Sequence, residues 1–334
     1  MVGNTSKTTI LVLLMILVFS VGLTSAHVPR DAENNTGLNS AEVIDNPTKS
    51  WAIYSQLTAQ QNVSYFQLNM EKGERLFVQL FVTTRAAEQQ FLPEFALMGP
   101  GLTNNGTVPN YVETIGNVSV MQSSRSESEY EPFGPSHQIM VAVVDIPVPQ
   151  TGIYFVAVYS QTGSGHFGLA IGSNESFTLS ETILNPINVI QVYRWMGESW
   201  LLIIFPYLAT FGIGLVLIKR YNGLQTLEQW IVYLIGLVFL SSSVSFIWQT
   251  IYNASQSQVS AMIFLSAAIA LVQTLIASGI IIVARKPVED RKLPILQLLI
   301  LSIIGLFVWT GLIVGPILGI LTAIGIFGTN QLKL

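Results

Sequence analysis

The chain has 334 residues, half of them hydrophobic and only 10% charged, with a formal net charge of −4 and a mean hydropathy of +0.53. It contains no cysteine, which excludes disulfides, thiolate metal sites and cysteine nucleophiles together. Residues 27–196 carry 15 acidic and 7 basic side chains, a net of −8, so nucleic acid and anionic lipid surfaces are excluded as natural partners of that region.

Residues 1–26 read as a secretory signal peptide. Lys7 supplies the basic start, residues 10–23 the apolar centre, and Thr24-Ser25-Ala26 the small residues for cleavage. The rival is a signal anchor that stays in the membrane. With cleavage, the mature chain begins at His27. Residues 27–45 are polar and Asn-rich and are expected to form a flexible arm.

Residues 46–192 are expected to form an all-β domain. Runs rich in aromatic and β-branched residues are separated by turn residues: Trp51–Leu57, Val63–Met70, Arg75–Val82, 94–98, 138–146, Gly152–Tyr159 and 166–171. In Val63–Met70, Phe66, Leu68 and Met70 share one face, while Tyr65, Gln67 and Asn69 share the other, as in a half-buried antiparallel strand. Residues 139–144 and 153–158 are apolar on both faces and should be central. Glu71-Lys72-Gly73-Glu74 and Gly163-Ser164-Gly165 read as hairpin turns. This spacing predicts a jelly-roll-like or immunoglobulin-like sandwich.

From residue 193 to 334 the chain reads as a transmembrane bundle. Residues 199–218, 230–248 and 259–284 are each long enough to cross a bilayer as helices. The stretch 293–327 is too long for one span. It reads as two short helices, 293–309 and 311–327, turning near Trp309-Thr310-Gly311, with one helix kinked at Pro316 as the alternative. Lys219, Arg220, Arg285, Lys286, Arg291 and Lys292 follow the first and third spans, and residues 252–258 carry no basic side chain. The positive-inside rule then places these loops in the cytoplasm and the N-terminal domain outside, in the cell membrane. Five spans put Lys333 inside as well; four is the alternative. No ionisable residue lies deep inside a span, unlike most pumps. Gln249, Gln273, Gln297 and Ser241-Ser242-Ser243 read as contacts between helices. Gly311, Gly315, Gly319 and Ala323 recur every four residues, a face for close helix packing, either within the chain or in a homo-oligomer formed through the last helix.

The fold class is therefore an all-β extracytoplasmic jelly-roll-like sandwich followed by an all-α transmembrane bundle. The run Val63-Ser64-Tyr65-Phe66-Gln67-Leu68 leading to Lys72-Gly73-Glu74-Arg75-Leu76 resembles paired strands of the bacterial and archaeal pre-peptidase C-terminal domains. Thr151-Gly152-Ile153-Tyr154-Phe155-Val156 and Gly165-His166-Phe167-Gly168-Leu169 resemble later strands of the same domains. The likeness runs from about Trp51 to Gly172. It implies a small accessory sandwich of the kind appended to secreted hydrolases, and no catalytic residues. Here the domain heads a membrane bundle instead, and residues 99–136 form a longer insert.

No nucleophile elbow, zinc-helix motif or phosphate loop is present, so an enzyme is not expected. The histidines are His27, His137 and His166. A mature N-terminal His27 suits copper, with its amine and ring joined by His137 or His166. The plainer reading makes His137 and His166 ordinary strand-end residues and His27 part of a loose arm. Glu127, Glu129 and Glu131 alternate, which suits a solvated strand edge better than a calcium site. Sequons at Asn34, Asn62, Asn105, Asn117, Asn174 and Asn253 would all lie outside. Glycosylation signals without cysteine are unusual for an ectodomain made in an oxidising compartment; an archaeal cell envelope reconciles them. The function expected is a membrane-anchored envelope protein, seated in the lipid bilayer, that binds a ligand, glycan or protein partner without a cofactor. The alternatives are a copper-handling accessory protein and a subunit of a larger membrane enzyme complex.

Overall fold

The computed structural model describes residues 27–331, apart from 33, 162, 222–223 and 287–291. The expected signal peptide, Arg291 and Lys333 lie outside the described residues.

Two sheets face each other. One has six strands in the order β1 (Val28–Asp31), β3 (Trp51–Leu57), β11 (Gly165–Ile171), β5 (Arg75–Val82), β9 (Ser136–Pro147), β8 (Ser128–Glu131). The other has five: β2 (Glu42–Ile44), β4 (Val63–Met70), β10 (Gly152–Tyr159), β6 (Glu94–Gly99), β7 (Asn117–Met121). The inward faces alternate along each strand as the sequence pattern requires. Phe66, Leu68, Leu97, Val156 and Val158 of one sheet meet Ile53, Val78, Leu80, Phe167 and Leu169 of the other, all buried. Phe66 and Phe167 meet edge to face at 6.5 Å. The outer face of the five-stranded sheet is also covered: Tyr65, Met98, Ala157 and Tyr159 pack under Val108 and Val112 of the long insert.

Several expectations are corrected. The arm 27–45 is not loose: β1 pairs in parallel with β3, β2 in parallel with β4, and Arg30 pairs with Glu42. The tight turns at 71–74 and 163–165 are not hairpins. Each carries the chain from one sheet to the other, because β4 pairs with β10, whereas β5 pairs with β9 and β11. The hydrophobic alternation of two strands is the same in either arrangement. Strand β10 is central, whereas β9 lies next to the edge strand β8, with Val143 exposed.

After β11 comes a helix where continued sandwich was expected, α1 (Leu179–Trp195), opened by a Thr178–Glu181 capping box. Five helices follow: α2 (Trp200–Tyr221), α3 (Leu227–Ser255), α4 (Met262–Ala284), α5 (Lys292–Phe307) and α6 (Val314–Gln331). Among the described residues, α2, α3 and α4 are long and apolar enough to cross a membrane, while α5 and α6 are shorter apolar helices. The turn between α5 and α6 lies at the sandwich end of the bundle, where the Trp309 indole reaches α1. At the opposite end, Val283 of α4 and Ile295 of α5 come together with Ile326 of α6.

The small-residue strip of α6 packs inside this chain. Gly311 is not on the helix but in the α5–α6 turn at φ +80°; a Cβ at Gly315 would strike Phe239 of α3, and one at Gly319 would come within 2.0 Å of the Ser302 hydroxyl on α5. Ala323 is buried. The face suggested for a second copy is therefore already filled.

Candidate functional site at the join of sandwich and bundle

The sandwich sits directly on the helices, and the join is polar and buried. The β8–β9 hairpin is its centre, set by the pairing of Glu131 with Ser136 and Tyr130 with His137. The Tyr130 hydroxyl donates to Ser266 Oγ on α4 at 2.8 Å, and Ser266 in turn donates to the Pro132 carbonyl at 2.8 Å. The Gln258 amide, after α3, donates to the Ser128 carbonyl.

His137 carries the longest chain of contacts. Its Nδ1 lies 2.6 Å from Asn253 Oδ1, and its Nε2 lies 2.5 Å from Thr84 Oγ1. An amide oxygen only accepts, so the ring proton is on Nδ1 and Nε2 accepts from Thr84. Burial lowers the pKa of His137, against the hydrogen bond to Asn253, which raises it; the neutral form fits both contacts. Asn253 Nδ2 donates to Gln249 Oε1 and to the Gln249 carbonyl, both at 3.0 Å, and Gln249 Nε2 donates to Glu198 Oε2 at 2.9 Å. Glu198, just ahead of α2, is only 5% exposed. Burial raises its pKa, offset in part by the hydrogen bonds from Gln249 and Asn253. Sandwich, α2 and α3 thus share one network.

Helix α1 is clamped at both ends. At its start, the buried Lys49 ammonium meets both oxygens of Glu181 at 2.6 and 2.7 Å. At its end, the Arg85 guanidinium donates to the Arg194 carbonyl at 2.8 Å and to the Trp195 carbonyl. A cation there complements both the open carbonyls and the helix dipole. The Trp195 indole donates to the Ser55 carbonyl at 3.1 Å and packs on Tyr54 and Phe81. Pro186 inside α1 has no amide proton, which frees the Thr182 carbonyl one turn earlier. The Trp309 indole, from the α5–α6 turn, donates to that carbonyl at 2.9 Å.

The structure does not assemble the three histidines into a metal site. Both His137 nitrogens are occupied as described. His166 Nδ1 lies 2.7 Å from Glu88 Oε1. His27 Nδ1 lies 2.6 Å from Ser50 Oγ, with its pKa lowered by burial, beside a cavity of about 50 Å³ that it shares with Glu131 and Phe133 rather than with another histidine. No cluster of three metal-ligating side chains occurs among the described residues. Glu131 is half-buried at this cavity, and burial pushes its carboxyl up to about 7; it is not the solvated edge residue that the alternation suggested.

Of the sequons, Asn34, Asn62, Asn105 and Asn174 are exposed, and Asn117 is half-buried with its amide donating to the Leu102 carbonyl. Asn253 is corrected outright: it is 0% exposed and its amide nitrogen is spent on Gln249, so a glycan has no access. The sequence does not reveal the chain of contacts from His137 through Asn253 and Gln249 to Glu198. The Thr178–Glu181 box was a readable signal for α1.

No family model matches the chain, and no curated protein matches it. Solved structures with some likeness include the pre-peptidase C-terminal domain of a Bacillus anthracis collagenase, 13% identical over 42% of this chain and 99% of that one, with a TM-score of 0.25. Another is PliG of Aeromonas hydrophila, a periplasmic inhibitor of g-type lysozyme, 12% identical over 45% of this chain and 100% of that one, TM-score 0.22. CorA of Methylomicrobium album BG8, a surface-associated copper-binding protein, is 10% identical over 43% of this chain and 100% of that one, TM-score 0.23. At these scores the likenesses carry no argument about activity; the architecture stands on its own as a β-sandwich seated on a helical bundle with three helices long enough to span a membrane.

Proposed function

We propose that this is a multi-pass membrane protein of the cell envelope that holds its sandwich on the extracytoplasmic face for recognition of a protein, glycan or small ligand, and performs no catalysis itself. The observation that carries the reading is the placement of charge. Lys219 and Arg220 close α2 and Arg285 and Lys286 follow α4, all at the bundle end away from the sandwich. The positive-inside rule orients that end to the cytoplasm. The clamped α1 and the His137–Asn253–Gln249–Glu198 network support a presenting role. They fix the sandwich in one orientation to the membrane, where a flexible stalk would not.

The absence of cysteine makes the test direct. Ser255→Cys lies at the sandwich end of α3 and Lys219→Cys at the opposite end of α2. In intact cells an impermeant thiol reagent is expected to label position 255 and spare 219. Labelling of 219 alone would reverse the orientation and sink the reading.

A further inference from the structure

A cavity of about 290 Å³ lies between α1, α2 and α3, beneath Phe133 and Pro135 of the β8–β9 loop. Its walls are mainly apolar, with Val189 and Ile190 on α1, Ile203, Ile204 and Leu208 on α2, and Phe246 on α3. The volume is at the lower end for small-molecule pockets. It admits one hydrocarbon chain and is too small for a packed peptide segment with side chains.

The position of its mouth says what can reach it. Ile204 is 41% and Leu208 68% exposed, on the same side of α2 as the exposed Leu201 and Phe205. In a bilayer this side of α2 faces hydrocarbon, so the cavity opens sideways into lipid, not upward into water. A dry apolar void forfeits dispersion contacts along its whole lining, and the nearest apolar material is a lipid tail. Polar groups also reach the space. Tyr207 and Ser242 line it, and the Tyr207 hydroxyl is buried without a well-formed hydrogen bond. Near the sandwich end, Tyr193 and Gln249 line it at the level of the polar join, and Trp309 flanks them. The sandwich end thus offers a polar shoulder with an aromatic residue at the boundary above apolar walls, as the head of an amphiphile requires, and the Tyr207 and Ser242 hydroxyls lie at the deeper end.

The geometry points to a specific site for one acyl or isoprenoid chain of a membrane lipid, held between α1 and the bundle directly under the sandwich. This inference rests on the membrane placement proposed above. A lipid seated there touches the β8–β9 loop, α1 and the α5–α6 turn together, so its occupancy bears on how the sandwich is held.

The test is native mass spectrometry of the full chain released from membranes in mild detergent. The wild type is expected to retain one lipid per chain, and Ser245→Phe, whose ring fills the cavity from α3, is expected to lose it. The spectrum also reads the mass of the chain. A lipid-free chain that keeps residues 1–26 would overturn the proposal in favour of that apolar segment as occupant. A lipid-free chain lacking them, or equal lipid on Ser245→Phe, would overturn it outright. A second measurement covers the case where Ser245→Phe does not fold. In vesicles of dibrominated-stearoyl phosphatidylcholine, the emission assigned to Trp309 by difference from Trp309→Phe is expected to be quenched at least as strongly as the rest. An unquenched Trp309 beside quenched lipid-facing tryptophans would contradict the site. A chain that leaves the membrane without detergent would fail the membrane reading instead, which separates the two claims.

Discussion

His137 of the sandwich donates from Nδ1 to the side-chain oxygen of Asn253 on α3 at 2.6 Å, with both residues buried. The bond joins strand β9 to the last turn of α3. Asn253→Leu leaves the His137 ring proton and the Glu198 carboxylate each short of a partner. The expected cost is about 1–3 kcal/mol, the usual range for a buried polar group left unsatisfied. Thermal unfolding in detergent measures it. A variant as stable as the wild type would show that the join contributes little.

Seven of the eleven strands among the described residues were legible in the sequence because each has two faces to pattern, and β3, β4, β5 and β10 have the bounds that the alternation predicts. Strands β1, β2, β7 and β8 have only three to five residues and lie at or near sheet edges, too short for period two to rise above noise. Helix α1 was hidden by its own composition. Ile183, Ile187, Val189, Ile190 and Val192 are β-branched, and Pro186 reads as a helix breaker. The small-residue face of α6 was plain, but not its partner Phe239, because sequence shows a groove without showing what fills it. The polar join was not legible at all. Asn253 matched a glycosylation pattern, Gln249 looked like generic helix contact, and Glu198 fell just ahead of the first expected span of the bundle. Their meeting with His137 depends on how the sandwich seats on the bundle.

Trp309 and Pro186 should be energetically coupled. Trp309→Phe removes the donor to the Thr182 carbonyl and is expected to cost about 1 kcal/mol, the net worth of an ordinary hydrogen bond. In a Pro186→Ala background the alanine amide can bond Thr182 within the helix, so the same change should cost less. A double-mutant cycle reads the difference. Equal costs in the two backgrounds would show that the indole hydrogen bond does not compensate for the proline.

Gly319 tests the packing of the last two helices. A methyl group there meets the Ser302 hydroxyl at 2.0 Å, so Gly319→Ala is expected to lower stability by about 1–3 kcal/mol through overpacking. Gly325→Ala, which meets nothing within 4 Å, should be neutral or slightly stabilising, since alanine has the better helix propensity. Equal effects of the two would contradict the intrachain packing of this face.

Glu131 should set a pH dependence. Burial raises its folded pKa to about 7 from an ordinary 4.5. A raised folded pKa means that its favourable contribution is complete below about 4.5 and is lost as the pH climbs through about 7. Glu131→Gln removes that loss, so the melting temperature of the variant relative to wild type should rise across this window. His27 and His137, with lowered values, act the other way and destabilise as the pH falls below 6.5, but they are common to both proteins. A difference between variant and wild type that is flat with pH would contradict the burial of this carboxyl.

Through α1 and the His137–Asn253 join, sandwich and bundle move as one rigid body. The most direct measurement is the distance distribution between spin labels at Lys72→Cys, on the exposed β4–β5 turn, and Lys219→Cys, at the far end of α2, in the otherwise cysteine-free chain in lipid nanodiscs. A single narrow distribution is expected in the wild-type background, broadening when Arg85→Ala and Asn253→Leu are combined. A broad or two-peaked distribution in the wild-type background would mean that the sandwich swings on its connection and that the join does not hold it rigid.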